Sequence, residues 1–170
     1  MKGPAWWRSR RMLRSLRWPG AWADDRGSSA IEFAVLSPFV FFFVLGTVEL
    51  ALDMIVDASV QIAAENASRM GLTTTAPATG TRASQAQAIV MATLGLWKNI
   101  GATVSITTLD YGSYNNVGTP NYQTGLGGLG DVVSYQIVVS LPKGFTGLPK
   151  YFGVPMPMVF QRIYLVQNEK

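Results

Sequence analysis

Any chemistry in this chain would have to come from carboxylates, hydroxyls and amines, because its 170 residues include no histidine and no cysteine. That removes imidazole general bases, thiolate nucleophiles, disulfides and the usual zinc ligands. Asp110 and Asp131 flank a loop and could pair as carboxylates for acid–base work, but aspartates at strand ends also make turns. The stretch "GLGGLG" (125–130) has the letters of a dinucleotide loop, Gly125-x-Gly127-x-x-Gly130. That fingerprint needs a strand before it and a helix after it. Here "NNVGTPNYQT" precedes it and a strand-like run follows, so it reads as a flexible hairpin loop. Tyr111, Tyr114, Tyr122 and Tyr135 suit surface contacts. The chain does not read as an enzyme, and no cofactor or metal is expected.

A second constellation is Gly27, Glu32 and Pro38 in "DDRGSSAIEFAVLSPFVFFFVLGTVEL" (24–50). Phe33 to Val48 carries no charge, and Ala30 to Leu52 is apolar apart from Glu32, Ser37, Thr47 and Glu49. A helix of ~20 residues rising ~1.5 Å each spans the ~30 Å hydrocarbon core of a bilayer. A secretory signal would want a shorter apolar region with a small-residue cleavage site just after it. This run leads straight into more helix, so an anchor over 28–52 is expected. Ser29-Ala30-Ile31-Glu32 has the S-x-x-E form of a capping box, and a carboxylate there suits the helix dipole. On that pattern alone Glu32 reads equally well as a cap. Pro38 cannot donate to the Ala34 carbonyl, so the helix should kink or loosen there, although membrane helices also tolerate proline.

These residues need elements to hold them. "ELALDMIVDASVQIAAENASRM" continues as an amphipathic helix over 53–71, with Leu52, Val56, Val60, Ala63, Ala67 and Met70 in one apolar stripe. Glu49, Asp53, Asp57, Gln61, Glu65 and Arg69 form a polar stripe, Glu65 and Arg69 are spaced to pair, and Gly71 reads as a C-cap. One helix of about 40 residues, half in lipid and half in water, follows from the ~1.5 Å rise and the span length. "TTTAPATGT" (73–81) is a linker by composition. A second helix is expected from about Ser84 to Ile100, with Ala86, Ile89, Val90, Thr93, Leu94 and Trp97 on one face. "ATVSITTL" (102–109), "DVVSYQIVVSL" (131–141) and "MVFQRIYLVQ" (158–167) read as strands, the second alternating through Val133, Tyr135, Ile137, Val139 and Leu141. The fold class is therefore α+β: a long N-terminal helix, then a small head (72–170) with one more helix and about three antiparallel strands.

The stretch from Gly27 onward resembles the leader and N-terminal helix of the TadE-like pseudopilins, part of the type IV pilin-like superfamily of tight-adherence (Flp-type) pili. The resemblance rests on Arg26-Gly27, Ser28-Ser29-Ala30-Ile31, Glu32-Phe33, Pro38, Gly46 and Glu49, on the alanine-rich "ASVQIAAENASRM", and on the terminal "QNEK". It is specific over about 27–71 and only compositional over 72–165. It implies that a prepilin-type aspartyl peptidase of the membrane removes a leader, 1–27, by cutting after Gly27. Ser28 then becomes the mature N-terminus of a minor pseudopilin that works with other pilins, pseudopilins and the assembly platform. The implied setting is the bacterial inner membrane, with possible incorporation in a surface pilus. A glycine at the cut lets the backbone lie extended in a protease cleft. The new amine would lie four residues before Glu32, which could neutralise it as the helix and Phe33 enter a filament core. The alternative is an uncleaved single-pass protein whose periplasmic head binds a partner.

Charge placement bears on partners and topology. Residues 1–27 hold seven of the 14 Lys/Arg (Lys2, Arg8, Arg10, Arg11, Arg14, Arg17 and Arg26) against Asp24 and Asp25. The remainder is near neutral, so the net +4 belongs to the leader. An "RSRRMLRSLRW" arm could touch nucleic acid, but arginines just before a span ordinarily fix its orientation in lipid. Arg10, Arg11, Arg14, Arg17 and Arg26 precede the span closely, against Arg69 alone beyond it. The expectation is a cytoplasmic N-terminus, a periplasmic head, membrane lipid as a partner and no nucleic acid.

Overall fold

The computed structural model describes residues 26–169 apart from Ala76, with Arg26, Gly27 and Ser28 described as helix backbone only. The basic leader up to Asp25 and the final Lys170 lie outside the described residues. Helix α1 runs from Arg26 to Leu72, 47 residues, with Pro38 inside it. At ~1.5 Å per residue that is about 70 Å of helix. The chain divides between Phe42 and Phe43 into two units.

The first unit is described as helix alone, and its large side chains are open: Phe33 is 69 % exposed and Phe39 61 %. The helix does not break at Pro38. The Ser37 hydroxyl donates to the Ala34 carbonyl at 3.4 Å, the carbonyl that Pro38 leaves without an N–H partner. α1 starts ahead of Ser29, so Ser29 is helical and the expected capping box is not formed, since a cap residue must stand outside the helix.

The second unit is an α+β body. The chain leaves α1 for α2 (Arg82–Leu94), which Thr81 caps with its side chain in a reciprocal arrangement with Ser84. A 3-10 turn (Gly95–Ile100) completes what the sequence suggests as one helix. Gly101 ends it in the left-handed conformation, φ 88°. The sheet has the order β2-β1-β3-β4, all antiparallel. Its strands are β1 (Thr103–Asp110), β2 (Gln123–Thr124), β3 (Val132–Leu141) and β4 (Met158–Gln167). The fourth strand is the two-residue β2, drawn from the Gly/Asn/Tyr loop. A four-residue helix α3 (Leu148–Tyr151) sits in the β3–β4 connection.

The register puts Val104, Val139 and Phe160 side by side, then Ile106, Ile137 and Arg162, then Thr108, Tyr135 and Tyr164. These rows face the helices. Val56, Val60, Ala63, Ala64 and Ala67 of α1 and Ala86, Val90 and Leu94 of α2 complete a core with Val133, Tyr135, Ile137, Val139 and Leu141. Each fully buried valine or isoleucine contributes roughly 1.5–3 kcal/mol. Three expectations need correction. Met70 is 42 % exposed, and the stripe closes instead on buried Gly71. Gly71 is no C-cap: it lies within α1, and a Cβ there would stand 1.5 Å from the Tyr135 hydroxyl. Tyr135, expected at the surface, is fully buried because Gly71 leaves room for its ring.

Candidate functional site

At the N-terminal end, one helix carries Gly27, Ser28, Glu32, Phe33 and Pro38. The Gly27–Ser28 bond lies among the first described residues of that helix. Among the residues that follow, the Ser37 and Thr47 hydroxyls donate to the helix carbonyls of Ala34 and Val44, so the apolar stretch satisfies its own polar groups. α1 is long and apolar enough to cross a membrane, with a mean hydropathy of 2.2 in its most apolar window.

Further along α1, Glu49, Asp57 and Glu65 of the polar stripe meet the head, while Gln61 and Arg69 are exposed. Glu49 is only 4 % exposed. The Phe145 N–H donates to its Oε1 at 2.8 Å, and the Thr146 N–H and hydroxyl each donate to Oε2 at 2.6 Å. Hydrogen bonds to a carboxylate are about twice as strong as neutral ones. They make this loop, 142–147, a clasp on the helix. Gly144 belongs to it, since a Cβ there would stand 2.3 Å from Glu49 Oε1. Eight residues on, Asp57 pairs with Arg162 of β4. Glu65 accepts from the Tyr164 hydroxyl at 2.8 Å and from Gln61 at 3.1 Å, where the sequence suggests Arg69 as its partner. These donors, Tyr164 first, hold the Glu65 carboxyl below its ordinary value, and Arg69 adds only its field. The hydrogen bond to Glu65 pushes the Tyr164 phenol up in turn. The outward face of this half is apolar instead: Leu50, Met54, Ile55 and Ile62 are 51 to 73 % exposed.

The far end of the head holds the loop that spells a dinucleotide motif. Its carbonyls point at protein donors, not at a ligand. Arg82 donates to Gly127 at 2.9 Å, to Leu126 at 3.3 Å and to the Gly71 carbonyl of α1 at 2.7 Å. Asn168, 2 % exposed, donates to Leu126 and Gly128, both at 2.8 Å. The loop is pinned, where its glycines alone suggest flexibility. Asp110 and Asp131 cap turns: Gly112 N–H donates to one at 2.8 Å and Gly128 N–H to the other at 2.6 Å. Both line an open polar cleft with Tyr111, Asn116 and Tyr122. Tyr111 and Tyr122 meet edge to face at 5.8 Å. Tyr135, buried beneath, has its phenol pushed up by desolvation. Among the described residues no three His, Cys, Asp or Glu side chains gather as a metal would need.

The sequence did not single out Arg82, marked Asn168 only within "QNEK" and without its partners, and placed Glu49 on a polar stripe. No local signal marks a residue whose partners lie some 40 or 97 positions away.

Set against known proteins, residues 27–69 match the family model described as TadE-like protein. The match begins at Gly27, takes in Glu32, Pro38 and Glu49, and ends within α1. No curated protein and no solved structure matches the chain.

Proposed function

We propose that this chain, TadE-like over residues 27–69, is a minor pseudopilin of a tight-adherence (Flp-type) pilus, cut after Gly27 by a prepilin-type peptidase. The observation that carries the reading is the coincidence of the matched segment with one helix that is bare and apolar first and clasped to a head afterwards. Its role is structural: membrane anchor, then assembly subunit among other pilins, pseudopilins and the platform. After the cut, the Ser28 amine lies within reach of Glu32, its own or a neighbour's. An ionised group at mid-bilayer costs about 2.5–3.5 kcal/mol on insertion scales, and pairing offsets part of that as the helix leaves lipid. The outward apolar face at Leu50, Met54, Ile55 and Ile62 supports packing against another subunit's helix. The leader arginines orient the head toward the periplasm.

The test is the mature N-terminus. Intact mass of membrane-extracted protein, made beside an active prepilin peptidase, should correspond to a chain starting at Ser28. Gly27→Leu should leave the precursor uncut, and Glu32→Ala should be processed yet assemble poorly. Full-length protein beside an active peptidase would favour the uncleaved alternative, a single-pass protein whose head binds a partner.

A further inference from the structure

The head is polarised along its strands. β1 begins at Thr103, β3 ends at Leu141 and β4 begins at Met158, and the register Thr103↔Ser140↔Val159 sets these three ends level. The connections at that end are the turn 95–101 and the loop 142–157. Trp97 and Phe145 join them edge to face at 5.8 Å, and Ile100, Pro142, Lys143 and Thr146 line one cleft. We call this end the base.

Three things distinguish it. It is apolar and open: Tyr151 is 85 % exposed, Leu96 75 %, Phe152 70 % and Ile100 52 %. It is basic: Lys98, Lys143 and Lys150 all lie in these two connections, which contain no acidic residue. The carboxylates Asp110, Asp131 and Glu169 stand at the opposite strand ends. Finally, it is level with the boundary of the apolar run. Glu49, the first charge after the uncharged stretch Phe33–Val48, is the residue the base loop grips. Phe43, Val44 and Leu45, just before it, are exposed.

Aromatic and aliphatic side chains ringed by lysines, at the level where a span ends, suit the headgroup layer of a bilayer. A lone protein-binding patch would not need to coincide with that level. We propose that the base of the head is a lipid-contacting face: Tyr151, Phe152, Leu96 and Ile100 enter the headgroup layer while Lys98, Lys143 and Lys150 meet anionic lipid phosphates. The inference rests on the membrane-anchor reading of α1. It gives the head a fixed seat on the bilayer before any assembly. Lysines near an anionic leaflet attract it at a strength that falls off within a Debye length.

The absence of cysteine makes the test direct, because single cysteines can carry an environment-sensitive fluorophore without background. The full chain is reconstituted in vesicles of phosphatidylglycerol and phosphatidylcholine as Tyr151→Cys, as Tyr114→Cys at the opposite end, and as Phe43→Cys in the apolar run. The label at 151 should be quenched by brominated lipid and shielded from aqueous iodide, and the label at 114 should behave the opposite way. Replacing Lys98, Lys143 and Lys150 by Gln, or omitting phosphatidylglycerol, should reduce the shielding at 151 severalfold. Unchanged shielding in both would overturn the role of lipid phosphate. Iodide reaching 151 as freely as 114, with 43 still quenched by lipid, would overturn the proposal and leave the anchor standing. Iodide reaching 43 as well would overturn the anchor and the proposal with it.

Discussion

The two halves of α1 are both apolar, yet they use apolarity for different ends. Phe33 to Val48 contains five phenylalanines, all more than half exposed. The half that meets the sheet buries no apolar side chain larger than valine: Val56, Val60, Ala63, Ala64 and Ala67, with Gly71 at its end. Small side chains let a sheet approach and let Tyr135 supply the bulk. The phenylalanines keep half or more of their area exposed among the described residues. Hydropathy alone does not separate these cases; side-chain volume does.

The comparison breaks most sharply at Gly71. Gly71→Leu places atoms where the Tyr135 ring already stands, and overpacking of this kind costs about 3 kcal/mol. Thermal unfolding of the detergent-solubilised chain should show it, and a parental melting curve would mean that the close approach is not what the glycine provides. A matched pair of truncations comes next. Val60→Ala, at a fully buried site, should cost about 2 kcal/mol from lost methyl burial and the cavity left behind. Phe39→Ala, although it removes more atoms, should shift unfolding in detergent by about 0.5 kcal/mol or less, as exposed sites do. Equal costs would abolish the distinction between the halves.

The smallest effect concerns the polar stripe. Tyr164→Phe removes the bond to an exposed carboxylate, so the loss in melting temperature should be small and should carry a pH signature. Glu65 is held below 4.5, so its contribution is present above that pH and lost as pH falls through the depressed value. Tyr164 is pushed above 10.0, so its contribution is present below that pH and lost as pH rises through the raised value. The difference between parent and variant should be flat between those limits and shrink outside them. A difference that grows in acid would remove the Tyr164–Glu65 bond from the account.

The strands were legible because alternation is a local property. β4 runs over the residues its pattern indicates, and the alternation of β3 marks the five residues it buries, Tyr135 included. The α+β class and the long helix followed from periods of two and of three to four. What escaped was decided at a distance. Glu49, at the head of a polar stripe, looks solvated until a loop some 96 positions later supplies three donors. Gly71 looks like a terminator until the ring opposite is known. Of the candidate site, Gly27, Glu32 and Pro38 stand out because they share one short segment, the one the family model matches. The base of the head is not, since it joins two connections that only the sheet register brings level.

One arrangement has a mechanical meaning. From Asp57 to Leu72, α1 advances about 22 Å, and from Arg162 to Glu169 the chain advances about 23 Å when extended. Asp57 holds Arg162, Glu65 holds Tyr164, and the Leu72 carbonyl accepts the Glu169 N–H at 3.0 Å, in the same order along both. Tension drawn along the helix therefore loads these attachments in shear, side by side. They must yield together instead of peeling one at a time, so a helix pulled along its axis would keep its head.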